Sequence, residues 1–137
     1  MAKSGRYSAD RKKIEEVSAA KTIEVHDCGT IFVLTGNSYT LTLPDAAAAG
    51  KGWWCKFVCG ADVATGNIVI DSGASDTVEL VAANAAGGAM TLAGGTDKIN
   101  IVASSAIKGD QVELVCDGTS LWMATGLTGV AAALTTA

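Results

Sequence analysis

The chain has 137 residues, of which 49% are hydrophobic, and it contains 16 glycines, one proline and one histidine. A chain of this length folds as one domain and can bury a core without disulfide bonds. A single histidine leaves few ways to build a metal centre or a histidine-dependent catalytic triad. We therefore predict a protein that is not an enzyme and that binds no metal and no cofactor.

The charge is unevenly distributed along the chain. Residues 1–21 carry six basic and three acidic side chains, a net charge of +3, so the rest carries −7 of the total of −4. A basic segment on an acidic body is typical of an arm that binds a partner or a neighbouring copy. We predict that residues 1–21 form such an arm, extended or partly helical, with a short helix over Ser8–Ala20.

The first residues lack the apolar stretch of a secretory signal, and no apolar run in the sequence reaches the length of a membrane span. These features predict a protein made in a cytoplasm, with no membrane partner. In that compartment the four cysteines are expected to remain reduced.

From Thr22 onward the hydrophobic pattern changes to a period of two, which is typical of β-strands. Short runs of this kind follow one another, separated by clusters of Gly, Asp, Asn and Ser. The predicted strands are Thr22–His26, Thr30–Thr35, Ser38–Leu43, Trp53–Gly60, Asn67–Asp71, Thr77–Ala82, Ala89–Ala93, Lys98–Ala103, Asp110–Cys116 and Ser120–Thr125. Pro44 ends one of them, and a loop with room for one helical turn is predicted over residues 45–52.

About eight to ten short strands, with turns every 8–12 residues or so, are typical of a β-sandwich, a jelly roll or a closed barrel. We therefore predict an all-β body over residues 22–126. The last residues, 127–137, lack charge and alternation, and they are predicted to form a second arm.

Trp53–Gly60 is the most regular of the predicted strands. Its alternation directs Trp53 and Cys55 to one face of a sheet and Trp54 and Lys56 to the other. Because a thin sandwich rarely buries two adjacent tryptophans, we predict that Trp53 or Trp54 lies in an interface between subunits.

The possible metal ligands are poorly spaced. Cys55 and Cys59 lie about 13 Å apart along a strand, which is too far to share a zinc ion. We therefore interpret the cysteines as small buried side chains. His26 and Cys28 have no third group to orient them, so they do not indicate a catalytic pair.

Other polar and aromatic groups allow two interpretations each. The acidic pairs, such as Asp71 with Asp76, lie in predicted turns, where carboxylates are usually solvated rather than catalytic. The three tryptophans are interpreted as core and interface residues, with a sugar-stacking platform as the alternative. The basic arm contains only Tyr7 as an interleaved aromatic, so we do not expect a nucleic-acid partner.

The run Ser38–Val58, SYTLTLPDAAAAGKGWWCKFV, resembles a pattern common in virion proteins of tailed bacteriophages. In that pattern a strand ending in TLP is followed by an Ala/Gly loop and an aromatic strand. Thr96–Ala103, Lys108–Val115 and Asp117–Trp122 match it too, so the resemblance covers most of the body. A short chain with a basic arm is more similar to head decoration (cement) proteins than to tail-fibre subunits, which usually carry this module within a longer chain.

The resemblance implies a structural protein of the capsid surface that forms a homotrimer, binds the major capsid protein and stabilises the shell. The alternative is a tail-fibre module, or a module that binds a receptor or a carbohydrate. The residues expected to contact the capsid or a neighbouring subunit are Arg6, Tyr7, Arg11, Lys12, Lys13, Ile14 and Val17. Trp53 and Trp54 are the candidates for the trimer interface.

Overall fold

A computed structural model describes residues 11–85 and 90–137. The strands of this part are β1 (Lys13–Val17), β2 (Lys21–Thr22), β3 (Thr30–Leu34), β4 (Tyr39–Thr42), β5 (Trp54–Cys59), β6 (Ile68–Asp71), β7 (Thr77–Asn84), β8 (Met90–Thr96), β9 (Lys98–Ile101), β10 (Gln111–Cys116), β11 (Leu121–Thr128) and β12 (Leu134–Thr136). A 3-10 helix, Val25–Asp27, and one α-helical turn, α1 (Ala46–Ala49), lie between strands.

The strands form two mixed sheets, which confirms the predicted all-β sandwich class. The larger sheet has seven strands in the order β1-β3-β5-β10-β11-β7-β8. The smaller sheet has five strands in the order β12-β9-β6-β4-β2.

The first six strands alternate between the two sheets. β1, β3 and β5 are parallel neighbours in the larger sheet, whereas β2, β4 and β6 are parallel neighbours in the smaller one. The chain therefore coils between the sheets instead of forming hairpins. An ion pair of 3.3 Å between Glu15 of β1 and Lys21 of β2 joins the sheet edges where this coil begins.

The core lies between the two sheets and is built largely from alternate residues of strands in both sheets. Phe32 of β3 and Phe57 of β5 are fully buried neighbours with ring centroids 5.4 Å apart. Leu41 and Ile70 of the smaller sheet belong to the same buried cluster. Burial of these side chains supplies most of the driving force for folding.

The helix predicted over Ser8–Ala20 is wrong for Lys13–Val17, which form the edge strand β1. Ser8 lies outside the described residues. A thin apolar stripe makes a short helix marginal, whereas strand pairing with β3 gives the backbone a full set of partners. Ile14 and Val17, spaced as on one helix face, lie on opposite faces of the sheet.

Two further predictions need correction. The strand predicted over Thr22–His26 is confined to Lys21–Thr22, because a 3-10 helix begins at Val25. The arm predicted over residues 127–137 is largely integrated into the body. Residues 127–128 complete β11, and β12 pairs antiparallel with β9 of the same chain.

Candidate functional site

The two tryptophans predicted at a trimer interface have different environments. Trp53 is only 4% exposed and packs against Trp122 inside the chain, so the interface prediction is wrong for Trp53. Trp54 is half-buried and lies on the opposite side of β5, facing away from the core. Alternation along the strand separates the two residues, as the sequence predicted.

Trp54 belongs to a broad surface that we call the outer face: the side of the seven-stranded sheet that points away from the smaller sheet. Its positions follow from the strand registers and the burial pattern. They are Ile14, Glu16, Ile31, Val33, Trp54, Lys56, Val58, Gln111, Glu113, Val115, Met123, Thr125, Leu127, Glu79, Val81 and Ala83. Most of these residues are apolar.

Three of the largest apolar side chains on the outer face are well exposed. Ile14 is 62% exposed, Leu127 is 55% exposed and Met123 is 45% exposed. They lie on β1 and β11, so the exposed apolar surface extends across most of the sheet. Extended apolar surfaces of this kind mark sites of interaction with other proteins more often than they remain bare.

The outward side of the smaller sheet is different. Thr40, Thr42, Asp71 and Asn100 lie on neighbouring strands there, and Val69 is the main apolar residue among them. A polar face of this composition is suited to water. The contrast between the two sheets identifies the outer face as the candidate functional surface.

The middle of the outer face carries opposite charges on adjacent strands. Lys56 of β5 lies directly across from Glu113 of β10, and Thr125 of β11 follows in the same row. Within residues 11–85 and 90–137, neither Lys56 nor Glu113 forms an ion pair or a side-chain hydrogen bond. Both charges therefore remain available to a partner.

Two shallow depressions meet at Glu113. The first has a volume of about 340 Å³ and is lined by Lys12, Gly52, Trp54, Glu113 and Val115. The second has a volume of about 240 Å³ and is lined by Lys56, Gln111, Glu113, Thr125 and Leu127. Both open on the outer face, so the surface there is recessed at its centre and offers hydrogen-bonding groups beside an indole ring.

Among the residues predicted to contact a capsid or a neighbouring subunit, those that the structure describes do not share one surface. Arg6 and Tyr7 lie outside the described residues. Arg11, Lys12, Lys13 and Ile14 are exposed, and Lys13 lies 3.7 Å from Asp27. Val17 is 6% exposed and packs in the core, so the contact prediction is wrong for Val17. Of these residues, Lys12 and Ile14 lie at the outer face.

The four cysteines form no disulfide, and three of them are buried. Burial, with a contribution from the Asp110 and Asp62 charges, raises the pKa of Cys59 to about 11. Burial also raises the pKa of Cys55. A thiol with a raised pKa is a poor nucleophile at neutral pH. The buried cysteines therefore act as small core residues.

The buried carboxylates have structural partners. Asp110 accepts hydrogen bonds from the backbone N–H groups of Ile107 and Gly129, at 3.0 and 2.9 Å. Asp76 accepts one from Ala46 N–H at 2.8 Å, at the start of α1. Asp117, which is not one of the buried carboxylates, accepts hydrogen bonds from three backbone N–H groups in the turn before β11, and these bonds lower its pKa.

These contacts hold loops in place and bring no two carboxylates together across a cleft. In the part of the chain that the structure describes, no three His, Cys, Asp or Glu side chains lie close enough to hold a metal ion. None of the helices in residues 11–85 and 90–137 has the length and apolar character needed to span a bilayer.

Sequence reasoning missed most of the outer face, including Glu113, Met123 and Leu127. A signal was present in the strand Trp54–Cys59, where Trp54 and Val58 are apolar although they point away from the core. An ordinary solvated strand carries polar residues at such positions. No protein-family model, curated protein or solved structure matches this chain.

Proposed function

We propose that this chain is a structural protein of a bacteriophage virion: a capsid decoration (cement) protein that binds the outer surface of the head as a homotrimer and stabilises the shell. The observation that carries the proposal is the outer face. A broad, largely apolar surface on a β-sandwich is suited to packing against another protein surface, as the contacts between subunits of a homotrimer require, and it has the mixed apolar and charged character of protein interfaces.

The local structure of the resembling run supports the same proposal. β4 ends just before Leu43-Pro44, α1 occupies the Ala/Gly loop, and β5 supplies the aromatic strand. The run therefore forms the strand, loop and strand that the resemblance implies. The major capsid protein and further copies of this chain are the proposed partners, and the capsid surface is the proposed location.

The arm adds to this proposal. Part of the basic segment, Lys13–Val17, is paired in the sheet as β1. The contact with the capsid is therefore assigned to the residues before β1, among them the exposed side chain of Lys12. Basic groups suit an acidic shell surface through long-range attraction, which salt weakens.

Binding to phage heads tests the proposal. The purified protein is mixed with expanded heads of the phage whose genome encodes it. The heads are prepared so that they lack this protein. Co-sedimentation and electron cryomicroscopy then report whether density is added to the outer shell. We expect bound trimers and heads that resist heat better. Density on the tail, or no binding, contradicts the proposal.

A variant lacking residues 1–10 tests the arm and retains β1. We expect weaker binding to heads, and less dependence on salt, than for the full chain. Unchanged affinity and salt dependence would show that these residues do not contact the shell.

A second candidate function is supported by the depression beside Trp54. An indole with a neighbouring carboxylate and ammonium group is a combination that can stack on a sugar ring and bind its hydroxyl groups. A receptor- or carbohydrate-binding module is thus the alternative. Since Trp53 and Trp122 are buried, fluorescence quenching by chitohexaose or maltohexaose reports on Trp54. A flat titration removes this alternative.

A further inference from the structure

We infer that the outer face is the surface through which copies of this chain associate with one another, with the half of the face on β1, β3 and β5 packing against the half on β10, β11 and β7 of a neighbouring copy. The inference rests on the proposed function only for the number of copies in the assembly. The surface itself is argued from its charges, shape and composition.

The two halves of the outer face carry opposite charges. The first, which we call the basic half, has Lys56 on β5, the strand that borders the other half, and Lys12 at its rim, with Glu16 near its outer edge. The second, the acidic half, has Glu113 and Glu79. Contact between the basic half of one copy and the acidic half of the next brings Lys56 opposite Glu113.

This arrangement favours one orientation of the neighbour. Placing two basic halves or two acidic halves together would bring like charges into contact, which disfavours that orientation. Lys56 and Glu113 form no ion pair with the described residues of their own chain. Pairing unlike halves gives each of them an oppositely charged partner on the neighbouring copy. Each copy then offers one half to each neighbour, a head-to-tail contact that closes into a ring if the rotation between copies allows it.

The apolar positions occur on both halves. Ile14 and Ile31 lie in the same row as Lys56, and Val81 lies in the row of Glu113 and Thr125. Pairing unlike halves therefore places aliphatic side chains against Met123 and Leu127 of the neighbour. Desolvation of large apolar side chains around a few charge pairs is typical of stable interfaces.

The size of the outer face sets the area that copies of the chain can bury against one another. Seven strands spaced about 4.8 Å apart, each about five residues long, span about 29 by 17 Å, or about 500 Å² in projection. Side chains standing above the sheet increase the accessible area beyond this projection. The whole face thus approaches the roughly 800 Å² per partner that a standard interface buries, and a contact through one half buries about half of that.

Analytical ultracentrifugation at micromolar concentration tests the inference on the full chain. We expect a stable oligomer that Lys56→Glu and Glu113→Lys each weaken by about 10- to 100-fold. The matched control is Lys108→Glu, an exposed loop lysine away from the centre of the outer face, which should leave association unchanged. Circular dichroism and the melting temperature verify that each variant is folded.

Restoring the charges in two ways sharpens the test. The double variant Lys56→Glu/Glu113→Lys carries reversed but complementary halves, so it should associate again. Mixing the two single variants restores every contact in a ring with an even number of copies. A ring of three must retain one like-charge contact, so a homotrimer gains little from mixing.

A wild-type monomer overturns the inference. So does an oligomer that Lys56→Glu and Glu113→Lys affect no more than Lys108→Glu does. A monomeric wild type together with a variant lacking residues 1–10 that oligomerises would also overturn the inference. That result would show that residues 1–10 of the same chain cover the outer face. An even-numbered ring sensitive to both charges upholds the surface and contradicts the homotrimer. Failure to bind heads contradicts the proposed function and leaves the surface standing.

Discussion

The indole rings of Trp53 and Trp122 pack edge to face in the core, with ring centroids 5.5 Å apart and planes at 90°. Trp53 also donates a hydrogen bond of 2.7 Å from Nε1 to the backbone carbonyl of Val25. Trp122 lies on β11, and Val25 begins the 3-10 helix that precedes β3. The two rings thus connect β11 of the larger sheet with the irregular segment between β2 and β3.

Trp122→Ala should lower the free energy of unfolding by about 3–5 kcal/mol, because it leaves a large cavity in a fully buried site. Urea denaturation followed by circular dichroism measures the change. The matched control is Trp54→Ala on the outer face, which should cost about 1–2 kcal/mol because its ring is already partly in water. Equal losses for the two variants would place Trp54 in the core as well.

The strands between Thr30 and Thr125 could be predicted from the sequence because each is a short alternating or continuously apolar run bounded by turn residues. Trp54–Cys59 is an example, since its buried residues are Cys55, Phe57 and Cys59 and its outward ones are Trp54, Lys56 and Val58. The turn at Asp117 was predictable too, because its side chain binds the backbone ahead of it and Gly118 supplies a positive φ of 82°.

The edge strand β1 and the sheet order could not be predicted in the same way. Lys13–Val17 has charged residues on both sides and becomes a strand only because β3 offers it a parallel partner. A period of two is the same for parallel and antiparallel neighbours, so it could not reveal that β1 to β6 coil between two sheets. Most of the outer face could not be predicted, since Ile14, Lys56 and Leu127 come onto one face only through the strand registers.

Asp110→Ala should lower the free energy of unfolding by about 2–5 kcal/mol. The substitution leaves the backbone N–H groups of Ile107 and Gly129 without their acceptor, and an unsatisfied buried donor costs about 1–3 kcal/mol. Chemical denaturation measures the loss. Glu79→Ala, an exposed carboxylate on β7, is the control and should change stability by less than about 0.5 kcal/mol.

Protease digestion of the native protein locates the Asp110 effect. In the Asp110→Ala variant, protease cleavage should increase mainly near Ile107 and Gly129. These residues belong to the two loops that the Asp110 carboxylate joins. An Asp110→Ala protein as stable as wild type, with unchanged cleavage in both loops, would mean that other contacts hold them.

The stability of the protein should fall as the pH rises above about 9. Burial raises the pKa of Cys59 from 9.0 to about 11 in the folded chain. The stabilisation is therefore fully present below pH 9 and is lost as the pH approaches 11, because the unfolded thiol ionises first. Burial raises the pKa of Tyr39 to about 12, so Tyr39 adds to the loss at the upper end of this range.

Cys59→Ala isolates the contribution of the thiol. The variant is less stable at pH 7 because it loses a buried side chain, but its unfolding free energy should decline less steeply between pH 9 and 11. Urea midpoints at several pH values in that interval measure both slopes. Parallel slopes for the variant and the wild type would assign the alkaline loss to other groups.

Two glycines with the same backbone conformation should respond differently to alanine. Gly118 and Gly73 have φ values of 82° and 85°, so either substitution strains the backbone by about 1 kcal/mol. A Cβ at Gly118 would also lie 2.6 Å from the backbone nitrogen of Lys51, whereas a Cβ at Gly73 meets no atom within 4 Å. Gly118→Ala must therefore shift one of two packed backbones. We expect it to lower the free energy of unfolding by at least about 2 kcal/mol, against about 1 kcal/mol for Gly73→Ala. Thermal unfolding of both variants measures the difference in stability. Equal losses of stability would show that the loop containing Lys51 moves away from the β10–β11 turn at little cost in free energy.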